Sequence, residues 1–552
     1  MMKVYGPRWP LLFVLVAGVA IVIGIAYLPS QPSGGEVPAQ GGAYVEGITG
    51  EPAVVNPLYA SFNTVDRDLS SLLFAGLVRL GPKGEVQPDL AGLPNVTQDG
   101  LTYIFELQPG LFWHDGETLD VEDVLFTIET IKATGFDGDP VLAELYQDIE
   151  VEASGDLTIV MTLEQPFAPF LARAATVGIL PEHLLSDVEP SALRDHPFNR
   201  RPVGSGPFRL VELTAASATL APFDSAHQGR PFLERLELRF FRDEGALLNA
   251  FLNDDVDGAL FRPGLDTDAI LVIDDEEQSV RRVLHTTAYS LVYLNTLSPM
   301  FQERFVREAL QRGLDRTVLF ERVLEGQALA LDSPIVRDLW AYIGAPDEYD
   351  FDLVRATALL DVAGWTLEDD VLTRDGDPLA FTLSVSDDPT QVAIAEELVR
   401  QWGELGIQVE LQVSGASVFV EGVLLPREFD AALVTVDPGP DPDPYPLWHS
   451  SQAFGDGRNL ASFSDLEVDR LLENGRQTTS DGERAEAYRA FQEIFAEEMP
   501  AVLLYTLTYQ YVVPVELQGL RPGLLIGLSS RFSDAFRWYL ETGSQGDVVR
   551  SD

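Results

Sequence analysis

The stretch from residue 435 to residue 445 reads Thr435-Val436-Asp437-Pro438-Gly439-Pro440-Asp441-Pro442-Asp443-Pro444-Tyr445. The apolar run Ala431–Val436 that leads into it predicts a buried strand. Four prolines then remove backbone donors, so neither a helix nor an inner strand can continue. The chain must therefore leave the sheet here as a stiff loop that carries three carboxylates.

The segments before this loop place it at one edge of a sheet. Their periodicity predicts three strands that alternate with two helices, at Leu379–Val385, Gln391–Leu405, Val409–Val413, Ser417–Leu424 and Ala431–Val436. This βαβαβ order predicts a right-handed parallel sheet, and ligands of such sheets bind beyond the carboxyl ends of the strands. We therefore expect Ser386 and Ser414, which follow the first two strands, to line a ligand site together with the acidic loop.

Composition excludes several classes of function. The 552 residues exceed a single ordinary core, so more than one domain is expected. Asp and Glu number 87 against 37 Lys and Arg, and a net charge of -50 repels nucleic acid. The absence of cysteine excludes disulfides, thiolate catalysis and iron–sulfur clusters. Six histidines without H-x-x-H spacing predict no metal site, and we expect no cofactor.

The amino end has the pattern of a membrane element. Lys3 and Arg8 precede Leu11–Leu28, which is uncharged and almost wholly apolar. Its length favours a spanning signal-anchor over a cleaved signal core, and the charged flank should stay in the cytoplasm. Cleavage after Val37-Pro38-Ala39 remains the alternative. The first outcome gives a protein anchored in the cell membrane and the second a secreted or periplasmic one, with the main body extracytoplasmic in both.

Short motifs recur in one order between about Val45 and Leu520. They include Pro88-Asp89-Leu90-Ala91, Trp113-His114-Asp115-Gly116, Gly204-Ser205-Gly206-Pro207-Phe208, Tyr293-Leu294-Asn295, Ala363-Gly364-Trp365 and Pro442-Asp443-Pro444-Tyr445. Each motif alone is common, but in this order they resemble the family 5 extracytoplasmic solute-binding proteins. These proteins are the receptors of peptide and nickel importers of the ATP-binding-cassette (ABC) type.

The resemblance implies an α/β fold, a two-lobed clamshell like that of periplasmic binding proteins, of type II and in its three-domain variant. Here an N-terminal transmembrane helix would precede it. The expected division is 1–10 cytoplasmic, 11–28 signal-anchor, 29–42 flexible linker, 43–288 first lobe with an extra subdomain inserted at roughly 70–200, 289–506 second lobe, 507–542 return to the first lobe, and 543–552 disordered tail.

The resemblance also implies transport rather than catalysis. We expect a receptor without catalytic residues that captures a small solute, an oligopeptide or similar ligand, in the cleft between the lobes. It would deliver this solute to the permease subunits of an ABC importer and act as a monomer.

The acidic loop is the expected anchor for a positive ligand terminus, because a buried charge must be paired. Asp437 is the first candidate, followed by Asp441 and Asp443. The aromatic candidates for contact with the ligand are Tyr445, Trp448, Trp113 and Tyr103. The peptide-binding branch of the family has a Gly-Trp…Asp-Tyr-x-x-Pro pattern, whereas no tryptophan precedes the acid here. Sugars, opines and other cations therefore stay open as ligands.

Two other functions remain as alternatives. A membrane-tethered sensor or adhesion module would use the same fold without a transporter, and neighbouring genes for permeases and ATPases would argue against it. A surface hydrolase needs only two carboxylates, such as Asp254 and Asp257. Turnover of a substrate by the purified protein would favour this second alternative.

Overall fold

The computed structural model describes residues 37–344, 350–521 and 523–543. The predicted membrane helix at 11–28 and the predicted cytoplasmic segment 1–10 lie outside these ranges, as do residues 544–552 of the predicted tail. Within the described ranges, no helix has the length and apolar character needed to cross a membrane.

The chain from residue 37 to 285 holds thirteen strands and seven α-helices. The strands are β1 Val37–Ala39, β2 Ala43–Thr49, β3 Val78–Leu80, β4 Val86–Pro88, β5 Asn95–Val96, β6 Thr102–Glu106, β7 Glu150–Ala153, β8 Thr158–Thr162, β9 Phe208–Leu213, β10 Ser217–Pro222, β11 Arg235–Phe241, β12 Gly258–Phe261 and β13 Ser279–His285. The helices are α1 Thr64–Leu73, α2 Val121–Lys132, α3 Pro140–Tyr146, α4 Phe170–Arg173, α5 Glu182–Leu185, α6 Glu244–Leu252 and α7 Thr267–Asp274.

The rest of the described chain continues the same alternation of strands and helices. Its strands are β14 Tyr289–Leu294, β15 Ala328–Ala330, β16 Thr366–Glu368, β17 Val371–Arg374, β18 Asp377–Pro378, β19 Ala380–Ser386, β20 Gln408–Ser414, β21 Ala431–Val436, β22 Ala501–Pro514 and β23 Glu541–Gly543. Its helices are α8 Arg304–Arg312, α9 Arg316–Val323, α10 Leu353–Val362, α11 Pro389–Glu404, α12 Ala416–Phe419, α13 Tyr445–Trp448, α14 Leu466–Gln477 and α15 Asp481–Glu498.

One sheet of twelve strands runs through the molecule in the order β20-β19-β21-β14-β22-β12-β2-β11-β10-β9, and β13 and β15 also pair with β22. We call residues 37–285 and 508–543 the first lobe and residues 289–505 the second lobe. The described chain crosses between them twice, at 286–288 and at 506–507. The 14-residue strand β22 is one of these crossings, because its two halves pair with different lobes.

The predicted βαβαβ unit of the second lobe is confirmed. Strand β19 pairs in parallel with β20 and with β21, and the observed Ala431–Val436 strand coincides with the predicted one. Helix α11 begins where expected for its sequence: Asp388 caps it by accepting from Gln391 N, and Pro389 occupies the first turn, where no intrahelical donor is needed. The carboxyl ends of all three strands thus lie at one edge.

The first lobe contains a second parallel unit, in which β2 pairs with β11 and β12. A separate antiparallel sheet, β5-β6-β8-β7, lies within residues 95–162 and forms part of the insertion. One hydrophobic core joins the insertion to the main sheet, since Tyr103 and Trp113 belong to the same buried cluster as Tyr44 and Trp538. The second lobe has two such clusters, one of them centred on Trp402 and the other on Trp448.

The predicted flexible linker at 29–42 is wrong for its last residues. Strand β1 pairs antiparallel with β23, and Gly41 N donates to Phe232 O at 2.9 Å. Backbone pairing with the far end of the chain therefore makes residues 37–42 part of the fold. The potential cleavage motif Val37-Pro38-Ala39 is this same strand, and Gly543, predicted to begin a disordered tail, is the last residue of its partner.

Candidate ligand-binding cleft

The carboxyl ends of the parallel strands of both lobes lie near the middle of β22. In the first lobe, the last residue of β12, Phe261, pairs with Gln510. In the second lobe, Val436 at the end of β21 pairs with Tyr289, and the adjacent Ser290 pairs with Tyr505. The two edges are thus separated by the Tyr505–Gln510 span of β22, about 17 Å at ~3.3 Å per residue. Ligand sites of parallel sheets lie beyond such edges, so the space between them is the candidate cleft.

Asp437 stands at the second-lobe edge of this cleft, immediately after β21. Its Oδ1 accepts from the Thr287 hydroxyl and from Gly439 N, both at 2.9 Å. Its Oδ2 accepts no hydrogen bond from the described residues, and the side chain is exposed. The carboxylate is therefore oriented by one oxygen while the other remains available.

Asp441 and Asp443 differ from Asp437 because both are buried. Asp441 accepts from Arg484 Nη2 at 2.7 Å. Asp443 Oδ1 accepts from Tyr445 N at 3.1 Å, while its Oδ2 lies 3.4 Å from Arg476 Nε without a hydrogen bond. Burial raises the pKa of Asp443, against the lowering effect of Arg476. Asp441 is thus hydrogen-bonded to a second-lobe arginine, whereas Asp443 Oδ2 lies near one without a hydrogen bond.

The four aromatic candidates also lie in different surroundings. Trp448 is fully buried beside Tyr293 and Phe495. Tyr445 is half-buried, with its ring stacked on His449 at 4.1 Å and the Arg476 guanidinium 4.3 Å from its centre. Tyr445 is therefore the one of these four side chains that keeps partial access to solvent.

The other two aromatic candidates belong to the insertion. Trp113 is fully buried and donates its indole N–H to Asp123 Oδ2 at 3.1 Å. Tyr103 packs edge-on against Phe170, with ring centres 4.7 Å apart, and burial raises the pKa of Tyr103 to about 12. Both side chains are buried in the hydrophobic core of the first lobe.

Ser386 and Ser414 are brought together as expected. They end neighbouring strands and face each other in the register of β19 and β20. Both are half-buried. The next strand of this edge carries Thr435, whose hydroxyl lies 2.7 Å from the Ser290 hydroxyl. Small hydroxyl side chains therefore continue along the edge toward Asp437.

The lobes touch beside the acidic loop. Arg173 Nη2 donates to Pro438 O at 3.4 Å, and Ala168 N donates to Arg476 O at 2.8 Å. The Arg476 guanidinium also lies 5.0 Å from the centre of the Phe167 ring, so it is held between Phe167 of the first lobe and Tyr445 of the second. These contacts join the two lobes beside the acidic loop.

A cavity of about 500 Å³ opens next to this contact, and sequence reasoning missed it. Pro440 of the acidic loop lines it, together with first-lobe residues that include Arg67, Ser70 and Arg173. The signal for Arg173 was present in the sequence, because it is the one charge in the run Phe170-Leu171-Ala172-Arg173-Ala174-Ala175. A lone guanidinium in an apolar segment requires a partner, and the local pattern does not show which.

Of the two carboxylates named for a hydrolase, Asp257 has a structural partner, because its Oδ2 accepts from Val45 N at 2.7 Å. Asp254 occupies a left-handed turn position with φ 58° after helix α6. Within the described ranges, no group of three or more His, Asp or Glu side chains is placed to hold a metal ion.

Comparisons with known proteins identify relatives that match most of this chain. The sequence profile described as "Bacterial extracellular solute-binding proteins, family 5 Middle" matches residues 85–457. The oligopeptide-binding protein AppA of Bacillus subtilis is 28% identical over 496 residues, which cover 87% of this chain and 89% of AppA. Protein XP55 of Streptomyces lividans is 30% identical over 490 residues, covering 86% of this chain and 85% of XP55.

Solved structures show the same fold. The structure of AppA in complex with a nonapeptide superposes with a TM-score of 0.64 at 26% identity and covers 92% of this chain and all of AppA (100%). That of NikZ from Campylobacter jejuni in complex with Ni(L-His) gives 0.65 at 24% identity, covering 90% of this chain and 99% of NikZ. The chain belongs to family 5 of the bacterial extracellular solute-binding proteins.

Proposed function

We propose that this protein captures a peptide-like solute between its lobes and presents it to an ABC importer without changing it chemically. The observation that carries the proposal is the free Oδ2 of Asp437 at the carboxyl edge of β21. An ammonium group is the natural partner of such an oxygen, because a charge-assisted hydrogen bond is stronger than a neutral one. The ligand named for AppA, a nonapeptide, carries such a group at its amino end.

The connections between the lobes support a hinge. Only residues 286–288 and 506–507 pass between the lobes in the described chain, and Thr287 in the first connection donates to Asp437. A ligand ammonium bound to Asp437 would therefore also affect the connection that must bend when the lobes close, because Thr287 of that connection is hydrogen-bonded to Asp437. Closure of two lobes around a ligand is the usual response of such folds, and the closed shape is what a permease would recognise.

We further propose that the body is extracytoplasmic and monomeric, and that residues 11–28 hold it at the membrane. The apolar character of that segment and its preceding positive charges support this arrangement.

Peptide capture is tested on the full-length protein in detergent by thermal melting. Alanine peptides of two to nine residues should raise the melting temperature by mass action, by an amount that corresponds to about 2.7 kcal/mol at a concentration of 100 times the Kd. The same peptides with an acetylated amino end should give a much smaller shift, since they have no ammonium group for Asp437. Mass spectrometry should recover the peptides intact.

A shift given equally by the acetylated peptides would remove Asp437 as the anchor. An absence of any shift with peptides, sugars and metal ions would refute the receptor. Cleavage of the peptides by the purified protein would instead support the hydrolase.

A further inference from the structure

The contact between the lobes contains a buried donor and a buried acceptor that lack hydrogen-bond partners. Arg173 Nε of the first lobe donates to no acceptor, and its Nη2 reaches Pro438 O only at 3.4 Å, beyond the about 2.7–3.2 Å that is usual. Asp443 Oδ2 of the second lobe accepts no hydrogen bond from the described residues, although Arg476 Nε lies 3.4 Å away. Buried polar atoms are usually satisfied, so these two require an explanation.

Arg173 and Asp443 attract each other across this contact without being paired. Burial raises the pKa of Asp443, whereas Arg476 and Arg173 both lower it, and a cation has this effect only when it lies near the carboxylate. No nitrogen of Arg173 lies within 4.0 Å of a carboxylate oxygen in the described part of the chain. The attraction therefore acts over a gap that a movement of the lobes can close.

Arg476 does not fill this gap, because other contacts hold its side chain. Its guanidinium lies between two rings, 5.0 Å from the centre of Phe167 and 4.3 Å from that of Tyr445. Arg476 Nε consequently lies beside Asp443 Oδ2 without donating to it. This oxygen remains available to the other arginine that acts on the carboxylate, Arg173 of the first lobe.

The two residues belong to the two lobes on either side of the candidate cleft. Arg173 is the last residue of helix α4 in the insertion, and Asp443 lies in the acidic loop after β21. The cavity of about 500 Å³ lies beside this contact, lined by Arg173 from one lobe and by Pro440 from the other. Because only residues 286–288 and 506–507 connect the lobes in the described chain, a rotation that narrows the cavity brings helix α4 toward the acidic loop.

We propose that Arg173 and Asp443 form a latch, the Arg173–Asp443 latch, which holds the lobes together once they have closed on a ligand. On closure the Arg173 guanidinium donates to Asp443 Oδ2, so the buried donor and the buried acceptor satisfy each other. A charge-assisted hydrogen bond in a buried place is strong and little screened by salt. Arg173 is thus a positioning residue that does not touch the ligand. Its effect on ligand release rests on the proposed function, whereas its pairing with Asp443 does not.

The first test measures the closure itself and needs no ligand. The chain has no cysteine, so Glu212→Cys and Glu410→Cys together place two dyes on exposed residues of β9 and β20, at opposite ends of the twelve-stranded sheet. Energy transfer between the dyes in the full-length protein in detergent gives the ratio of closed to open molecules. Arg173→Gln and Asp443→Asn should each lower this ratio about 10-fold, and the two together should lower it no further.

The second test measures the rates of tetraalanine binding with the same dyes. The latch forms only after the peptide has entered, so Arg173→Gln should raise the dissociation rate about 10-fold and change the association rate less than about 3-fold. Arg173→Lys should retain part of the wild-type lifetime, because lysine keeps the charge but not the planar set of donors. Arg400→Gln is the matched control, since Arg400 pairs with Glu397 and Glu404 on the surface of helix α11 and should leave both rates unchanged.

The outcomes separate the latch from peptide capture. A lower closed ratio in the variants of a protein that does not bind tetraalanine would support the latch and contradict peptide capture. Binding of tetraalanine with a closed ratio and a dissociation rate that neither variant changes would refute the latch and leave the receptor standing. Losses that add up in the double variant would also refute the latch, because the two residues would then act independently. Absence of binding together with an unchanged closed ratio would refute both.

Discussion

Two groups of buried charges in this molecule differ in how completely they are paired. The first, the Arg531 cluster, consists of Arg531, Glu46, Asp68, Tyr44 and Tyr511 inside the first lobe. Arg531 donates to Glu46 at 2.6 Å and to both oxygens of Asp68 at 3.0 and 2.7 Å. The two tyrosine hydroxyls donate to the remaining oxygen of Glu46 at 3.1 and 2.9 Å. Every carboxylate oxygen in the cluster thus has a donor.

The second group is the acidic loop and the arginines around it, at the contact between the lobes. Here Asp443 Oδ2, Arg476 Nε and Arg173 Nε are all buried without hydrogen-bond partners. Asp437 belongs to the same loop but is exposed, and it keeps one oxygen free. This difference separates a rigid part of the fold from an adaptable one. A fully paired cluster holds one arrangement, whereas unpaired donors and acceptors can exchange partners when a ligand binds or the lobes move.

The largest effect should come from breaking the Arg531 cluster. Arg531→Leu leaves Glu46 and Asp68 buried without their cation, so the free energy of unfolding of the first lobe should fall by about 3–5 kcal/mol. Denaturation by urea measures this. Arg537→Leu is the control, because its side chain is 41% exposed and 3.8 Å from Asp534, and it should cost less than about 1 kcal/mol. Equal losses in both variants would show that the complete pairing of the cluster contributes little.

Much of the second lobe could be predicted from sequence because its signals are local. Apolar runs bounded by Pro, Gly and Asp gave the strands of the βαβαβ unit to within a residue or two. The continuous strand β22 and the pairing of β1 with β23 could not be predicted this way. The first is one buried run shared by two lobes, and the second joins segments about 500 residues apart, so no local periodicity marks either pairing.

The site was harder to predict for the same reason. Asp437, Asp441 and Asp443 stand in nearly the same Asp-Pro context, and their sequences do not show which of them is buried. That depends on Arg476 and Arg484, which helices α14 and α15 bring to the loop from 33 or more positions away. The contact of Arg173 with Pro438 O could not be predicted either, because it joins two segments that are far apart in the sequence and belong to different lobes.

An intermediate effect is expected at Asp437, and it should appear in binding rather than stability. Asp437→Asn should lower the affinity for alanine peptides with a free amino end by about 10- to 100-fold, through the loss of one charge-assisted hydrogen bond. The melting temperature without ligand should stay nearly unchanged, because the side chain is exposed. Asp441→Asn is the opposite case, since it leaves Arg484 buried without its carboxylate and should lower the melting temperature. A fall in the melting temperature of Asp437→Asn without ligand would mean that Asp437 stabilises the fold instead of binding the ligand.

The smallest effect is expected at Asp443, and it should depend on pH. Burial raises the pKa of this carboxyl above the value of about 3.9 in an unfolded chain, so the native state holds its proton more tightly than the unfolded state does. This group therefore adds stability below about pH 4, and that stability is lost as the pH rises through its raised pKa. Asparagine cannot ionise, and Asp443→Asn should lose this component of the pH dependence.

Relative to the wild type, the free energy of unfolding of the Asp443→Asn variant should therefore increase from pH 4 to pH 7. At pH 7 the two free energies should agree within about 1 kcal/mol. Urea denaturation across that range measures the difference. A loss of 3 kcal/mol or more at pH 7 would mean that Asp443 is held by its arginines as firmly as Asp68 is held by Arg531, and the contrast between the two groups of charges would disappear. A small loss with the expected pH dependence would instead show that Asp443 and Arg476 hold each other less firmly than the members of the Arg531 cluster do.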